Sequence, residues 1–150
     1  MALTRTMIVR YPSSRFDVAP WTDLTVAAER TRTTGAAVRA MVRLADAWGL
    51  TIDQVGTLLG GVPASTWHAW VNKPPRDLGV DRLTRVSSLL GIYTALHVLY
   101  PDSPLADEWM TRPNTNVLFA GRRPLDVVLD GGIGAMDRVR MLLDARRGGG

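Results

Sequence analysis

A chain of 150 residues with 46% hydrophobic residues and five tryptophans can bury a real core, so we expect one domain with an appended module. The absence of cysteine excludes disulfides and thiolate metal sites and favours a cytoplasmic protein, and no apolar run reaches the ~20 residues of a membrane span. The net charge of +4 lies entirely in residues 1–100, which favours an acidic partner such as nucleic acid for that part of the chain, while the last 50 residues are neutral and suit a protein partner. All of the 18 basic residues except Lys73 are arginine, a bias that a GC-rich genome also produces.

Residues 1–35 are predicted to be a partly flexible N-terminal arm. The first 20 residues contain two prolines and show no clear period, which is typical of a mobile segment. A short helix is predicted over residues 23–30, and the stretch T-R-T-T-G over residues 31–35 is expected to end it.

A strong helical period begins at residue 36. Gly49 is typical of a left-handed helix stop and ends this predicted helix. The apolar residues that share one face are Val38, Met41, Val42, Ala45 and Trp48.

Residues 50–71 have the plan of a helix-turn-helix. Thr51 and Gln54 form a capping box, Gly60-Gly61 makes the turn, and Pro63 fits the first turn of the next helix. Gly56 would let the two helices cross closely. Trp67, Trp70 and Val71 are predicted to form the inner face of the second helix.

The opposite face of that second helix is the candidate DNA-contact surface. It has no arginine to pair with guanine, so a helical scaffold that has lost DNA binding remains the alternative. The predicted DNA-contact residues are Ser65, Thr66, His68, Asn72 and Lys73.

A long helix is predicted from Asp81, as N-cap, to about Tyr100, with Gly91 allowing close packing or a slight bend. Its predicted apolar stripe is Leu83, Val86, Leu90, Tyr93, Leu96 and Tyr100.

The last third of the chain is predicted to be helical as well. A turn or two is expected over residues 106–110, then a short helix over 124–129 that begins at a proline. Gly131-Gly132 breaks it, a final helix follows over about 133–143, and residues 148–150 form a flexible end. No segment reads as a strand, so the predicted fold is all-α.

No residue pattern indicates an enzyme, a metal site or a cofactor. His68 has no carboxylate or second histidine nearby in sequence, and His97 is expected to be a partly buried, hydrogen-bonded side chain. The glycines of residues 131–134 follow a helix rather than a strand, which excludes a dinucleotide loop.

The C-terminal sequence EWMTRPNTNVLFAGRRPLDVVLDGGIGAMDRVRMLLD (residues 108–144) resembles the toxin-binding domain of Xre/MbcA/ParS-type antitoxins. The upstream stretches LLGGVPASTWHAW (residues 58–70) and DRLTRVSSLLGIYTALHVLY (residues 81–100) are similar to the helix-turn-helix of that family and the helix after it, so the resemblance covers about residues 36–147. Ala120 stands where a second glycine is common. The matching positions are Trp109, Pro113, Asn114, Phe119, Gly121, Arg122, Pro124, Leu125, Gly131, Val139, Leu142 and Leu143.

The resemblance implies an Xre-like helix-turn-helix domain over residues 36–100 and a toxin-binding domain over residues 101–150. Such antitoxins cover the NAD pocket of a RES-domain toxin, which consumes NAD or transfers its ADP-ribose. Their helix-turn-helix often supports dimerisation and repression of their own operon, so operator DNA and a homodimer within a toxin–antitoxin hetero-oligomer are expected. The alternative is a stand-alone transcription regulator without a toxin.

The expected toxin contacts lie in the turn before the proline and at the C-terminal end. Trp109 and Phe119 are candidate anchors of the interface, with a core role as the alternative for Trp109. The predicted toxin-binding residues are Phe119, Gly121, Arg122, Arg123, Pro124, Leu125, Arg146 and Arg147.

Overall fold

The computed structural model describes residues 23–148, and the predicted all-α fold is confirmed for these residues. A 3-10 turn, Trp109–Thr111, follows the fifth helix. The predictions for residues 1–20 and for the last two glycines lie outside the described residues. The helices in chain order are α1 (Ala27–Trp48), α2 (Ile52–Leu58), α3 (Ala64–Asn72), α4 (Val80–Leu99), α5 (Ser103–Glu108) and α6 (Pro124–Gly148).

Helix α1 runs without interruption through residues 31–35, so the predicted break there was wrong. The hydroxyls of Thr33 and Thr34 donate to the carbonyl oxygens of Glu29 and Arg30 at 2.8 and 2.7 Å, which satisfies these side chains within the helix. Thr34 is only 1% exposed, and its hydroxyl oxygen accepts the backbone N–H of Leu78 at 3.1 Å. The threonines therefore do not end α1, and Thr34 joins it to the segment before α4.

Helices α2 and α3 form the predicted helix-turn-helix. The capping box is confirmed, because Thr51 Oγ1 accepts the Gln54 N–H at 3.1 Å and Gln54 Oε1 accepts the Thr51 N–H at 2.9 Å. The predicted close approach at Gly56 is also confirmed. A Cβ at this position would lie 2.2 Å from the carbonyl oxygen of Val62.

The inner face of α3 was predicted only in part. Trp67 is buried and Trp70 is half-buried, with the guanidinium of Arg82 5.5 Å from the Trp70 ring centroid. Val71 is 44% exposed, so its assignment to the inner face was wrong. Only one side of α3 packs against the core, and Val71 lies just outside that side.

The N-cap of helix α4 is Gly79, two residues before the predicted N-cap Asp81. Asp81 lies in the first turn and pairs with Arg85 at 3.0 Å, so its predicted capping role was wrong. The buried face also differs from the predicted stripe. Helices α1 and α6 both pack against α4, which widens and rotates this face. Its buried residues are Leu83, Val86, Leu89, Gly91, Ile92, Ala95, Leu96 and His97.

The packing of α6 on α4 joins the two halves of the chain. A Cβ at Gly91 would lie 1.6 Å from Nη1 of Arg140, which confirms that α6 passes close to α4 at this glycine. Gly132 (φ 61°, ψ −145°) interrupts α6, as the sequence predicted. One hydrophobic cluster extends from Ala37 on α1 to Leu143 on α6. The helix-turn-helix and the C-terminal region therefore share a core.

No helix within residues 23–148 is both long and apolar enough to cross a lipid bilayer.

Two glycine-to-alanine substitutions should have opposite effects on the free energy of unfolding. Gly56→Ala is expected to destabilise the protein by about 1–3 kcal/mol, because the new methyl group would meet the backbone carbonyl of Val62. Gly35→Ala, inside α1, is expected to stabilise it by up to about 1 kcal/mol, because its methyl group would meet only the end of the Arg39 side chain. Denaturant unfolding of both variants measures this, and equal stability of the two would contradict the close helix crossing.

Candidate functional site

Two asparagine side chains build the loop between the 3-10 turn and α6, which we call the asparagine loop (residues 114–123). Asn114 Oδ1 accepts the N–H of Asn116, and Asn116 Oδ1 accepts the N–H of Leu118, each at 2.9 Å. The loop is closed by the Gly121 N–H donating to Asn114 O at 2.8 Å and the Asn114 N–H donating to Arg122 O at 3.0 Å. The backbone of this loop is therefore held in one shape by its own hydrogen bonds.

Phe119 lies beneath the asparagine loop and is 1% exposed. Its ring meets the ring of Trp109 edge to face, with centroids 5.6 Å apart and an interplanar angle of 82°. Pro124 and Leu125 are buried as well. The structure thus places these three predicted toxin contacts inside the chain's own core, where they support the loop and offer a partner no side-chain surface.

The adjacent arginines are the exposed part of the predicted contact set, and each has an acidic partner on α6. Arg122 pairs with Asp130, and Arg123 forms two hydrogen bonds of 2.8 Å with Asp126. The hydrogen bonds from Arg123 lower the pKa of Asp126. That pair therefore contributes stability above the ordinary pKa of aspartate and loses it as the pH falls through the lowered value.

The remaining predicted toxin contacts are also at the surface. Gly121 is exposed in the asparagine loop. Arg146 and Arg147 are exposed in the last turn of α6, and Arg147 lies 3.6 Å from Asp144. The structure does not bring this arginine pair and the loop into one described contact.

Sequence reasoning missed a cleft beside the asparagine loop. Its volume is about 230 Å³. Trp109 had been predicted as an interface anchor or a core residue and Pro113 as part of the family pattern, but the sequence did not show that the two line a common cleft. The lining residues are Tyr100, Leu105, Trp109, Arg112, Pro113 and Asn114.

Val117 was also missed. It stands in the asparagine loop with 95% of its surface exposed. A single valine between polar loop residues has no periodicity, so only the structure shows that it points away from the core.

The candidate DNA-contact residues lie on α3 or directly after it. Ser65, His68, Asn72 and Lys73 are exposed, and Thr66 is half-buried. The Asn72 side-chain amide donates to the carbonyl oxygen of His68 at 3.2 Å, so one of its donors is already used. These five residues are therefore spread along α3 from its first turn to the residue after its last turn.

Several of the described basic side chains in the helix-turn-helix half form no ion pair. Among the described residues, Lys73 and Arg76 after α3, and Arg39 and Arg43 on α1, take part in no ion pair. With Arg82 on α4, five described cations of the helix-turn-helix half therefore take part in no ion pair, a charge distribution that suits an anionic partner.

The two histidines have different surroundings. His97 is 3% exposed, and its Nε2 lies 3.0 Å from Asp107 Oδ1, which joins α4 to α5 and confirms the predicted buried role. His68 is exposed on α3. Within the described part of the chain no group of three or more His, Cys, Asp or Glu side chains could hold a metal ion.

Comparison with known proteins matches both halves of the chain. Residues 27–91 match the model of the antitoxin Xre-like helix-turn-helix domain, and residues 95–149 match the model of the antitoxin Xre/MbcA/ParS C-terminal toxin-binding domain. The uncharacterized protein y4oB of Sinorhizobium fredii (strain NBRC 101917 / NGR234) is 40% identical over 114 residues, which cover 76% of this chain and 86% of that protein.

The turn that carries the arginines contains a strained position that can be tested. Ala120 has a left-handed φ of 50°, and Gly121 follows with a φ of 87°. Ala120→Gly is expected to stabilise the protein by up to about 1 kcal/mol, since relief of the left-handed conformation exceeds the entropy that glycine adds to the unfolded chain. Gly121→Ala should destabilise it by about 1–2 kcal/mol. Thermal unfolding of both variants checks this, and a lower melting temperature for Ala120→Gly would contradict it.

Proposed function

We propose that this chain, which belongs to the Xre/MbcA/ParS family of antitoxins, neutralises a RES-domain toxin by covering its NAD pocket. The family establishes an antitoxin with a helix-turn-helix, and it is not a family of enzymes. The observation that carries the proposal is a preformed surface, the asparagine loop and its neighbouring cleft, within the toxin-binding match.

The proposed mechanism is steric exclusion. A protein interface of standard size buries about 1,600 Å² in total and reaches nanomolar affinity when a few residues anchor it. The loop is rigid before binding because its amides are bonded internally, so little order has to be imposed when the toxin docks. NAD then cannot enter the toxin, and the antitoxin needs no chemistry of its own.

The exposed arginines would orient the toxin on this surface. The side chain of Arg122 is 50% exposed and that of its partner Asp130 is 69% exposed, so their pair is solvated and contributes little to folding. Arg122 can therefore exchange Asp130 for an acidic or carbonyl group of the toxin. Charges at the rim of an interface mainly raise the association rate and fix the orientation of the partner.

The helix-turn-helix would repress the antitoxin's own operon. The surface of α3 presents polar side chains at its end, and the unpaired Lys73 and Arg76 can contact phosphates. Helix-turn-helix proteins commonly bind DNA as dimers, at two half-sites about one helical turn apart. We therefore propose a homodimer within the toxin–antitoxin complex, acting in the cytoplasm where both NAD and the operator are present.

A stand-alone transcription regulator is the alternative, and the structure decides how the two are separated. Removal of residues 101–150 would take Met136, Val139 and Leu143 out of the shared core, so the truncated chain would lose its fold together with any function. Point substitutions at the surface avoid this problem.

Two charge reversals of equal size should separate neutralisation from DNA binding. Arg122→Glu is expected to weaken protection against a co-expressed RES-domain toxin, while binding to the promoter upstream of this chain's gene is retained. Lys73→Glu should do the opposite, because it places a carboxylate against the DNA phosphates. Cell growth and cellular NAD report neutralisation, and electrophoretic mobility shift reports DNA binding. If the wild-type chain restores neither growth nor NAD, the antitoxin proposal fails and the regulator remains.

DNA binding should depend steeply on salt. The logarithm of the association constant for the promoter duplex is expected to fall linearly with the logarithm of the salt concentration. Lys73→Ala should reduce that slope by about 1, since it removes one phosphate contact. Arg146→Ala removes one unpaired cation from the C-terminal end of the chain and serves as the matched control with an unchanged slope. A flat salt response of the wild-type chain would contradict the autorepressor.

A further inference from the structure

The geometry points to two apolar contacts that anchor this chain to its toxin. Val117 enters a pocket on the toxin, and a toxin side chain enters the cleft beside the asparagine loop. The inference rests on the proposed function, since it takes the toxin as the partner. It assigns the main anchoring role to Val117 and Leu105, which the sequence pattern did not single out, and leaves the arginines to orient the partner.

Val117 is presented as an anchor before any partner arrives. It is 95% exposed, more than any other large hydrophobic residue described. Single exposed apolar side chains are common on protein surfaces and carry little meaning alone. Here, however, the backbone N–H groups on either side of Val117, those of Asn116 and Leu118, donate to the side-chain oxygens of Asn114 and Asn116. The backbone that carries Val117 is therefore already ordered and loses little entropy on binding.

The size of the cleft favours a side chain of a protein as its occupant. Its volume of about 230 Å³ lies below the roughly 300 Å³ at which small-molecule sites begin. Tyr100, Leu105 and Trp109 provide apolar walls, and Leu105 is 49% exposed. Arg112 and Asn114 provide a polar edge. An apolar centre with a polar rim is the usual composition of a protein interface.

The cleft and Val117 belong to one surface. Asn114 lines the cleft and also accepts hydrogen bonds from Asn116 and Gly121 in the asparagine loop. Val117 is three residues further along the chain, so it lies within about 11 Å of Asn114. A standard interface covers about 800 Å² on each partner and easily spans that distance. A single toxin domain can therefore contact both points.

The ion pairs of the region explain why the apolar points carry the affinity. Arg112, Arg122 and Arg123 are already paired with Glu108, Asp130 and Asp126. On binding, each would exchange one acidic partner for another, which yields a small net gain. Val117 and Leu105 give up only contacts with water, so their burial is favourable without a compensating loss. The partner surface that fits is an apolar pocket next to a protruding aromatic or aliphatic side chain, rimmed by acidic groups.

The test measures the affinity of the full-length chain for the purified RES-domain protein that it is proposed to neutralise. Val117→Asp and Leu105→Asp are each expected to raise the Kd at least tenfold, which corresponds to about 1.4 kcal/mol. Val117→Ile should keep the Kd within about twofold. Ile52→Asp, which introduces the same charge at a 45% exposed aliphatic residue in the helix-turn-helix half, is the matched control and should leave the Kd unchanged.

The outcomes distinguish this inference from the proposed function. All four variants change exposed side chains, at Val117, Leu105 and Ile52, and circular dichroism and thermal unfolding establish that each variant is folded. If the wild-type chain binds and neutralises the toxin while Val117→Asp binds within twofold of it, the inference is overturned and the antitoxin function stands. If the wild-type chain does not bind the RES-domain protein, both are overturned.

Discussion

The edge-to-face contact between Trp109 and Phe119 determines where the C-terminal surface lies. Phe119 packs in the core beneath the asparagine loop and holds the loop against it, and Trp109 forms one wall of the adjacent cleft. Because both rings belong to the same packed cluster, loop and cleft keep a fixed relation to each other. The apolar residues that define the family pattern in this region therefore act from below the surface, and the residues between them face outward.

The two halves of the chain differ in how far their charged side chains are paired. The last 50 residues contain equal numbers of basic and acidic side chains, and most of the arginines there are paired within the region. The helix-turn-helix half keeps several cations without an ion pair among the described residues, Lys73 and Arg76 among them. A surface that has balanced its own charges suits a protein partner, and one that has not suits a polyanion.

Local rules predicted the parts of the fold that depend on neighbouring residues. The capping box at Thr51, the stop at Gly49 and the break at Gly132 each follow from the side chain or the backbone freedom of one or two residues. The errors arose where a distant contact decides. Thr34 remains helical because its hydroxyl is satisfied by Arg30 and by Leu78, which lies 44 residues away.

The sequence predicted the type and location of the candidate site better than it predicted which residues are exposed there. The family pattern located the C-terminal region, yet pattern matching does not separate Phe119, Pro124 and Leu125, which are buried, from the exposed Arg122 beside them. Val117 escaped detection for the opposite reason. Its exposure depends on how two asparagines turn the chain, and no periodic signal reports that.

The shared core has a consequence for the lifetime of both activities. Since side chains of α6 complete the packing around α4, opening of either half exposes the other, and the chain should unfold as one cooperative unit. Under the proposed function, a cellular protease that captures the unfolded chain would remove the proposed repressor and the proposed toxin inhibitor in the same event. Transcription of the operon and release of the toxin would then start together.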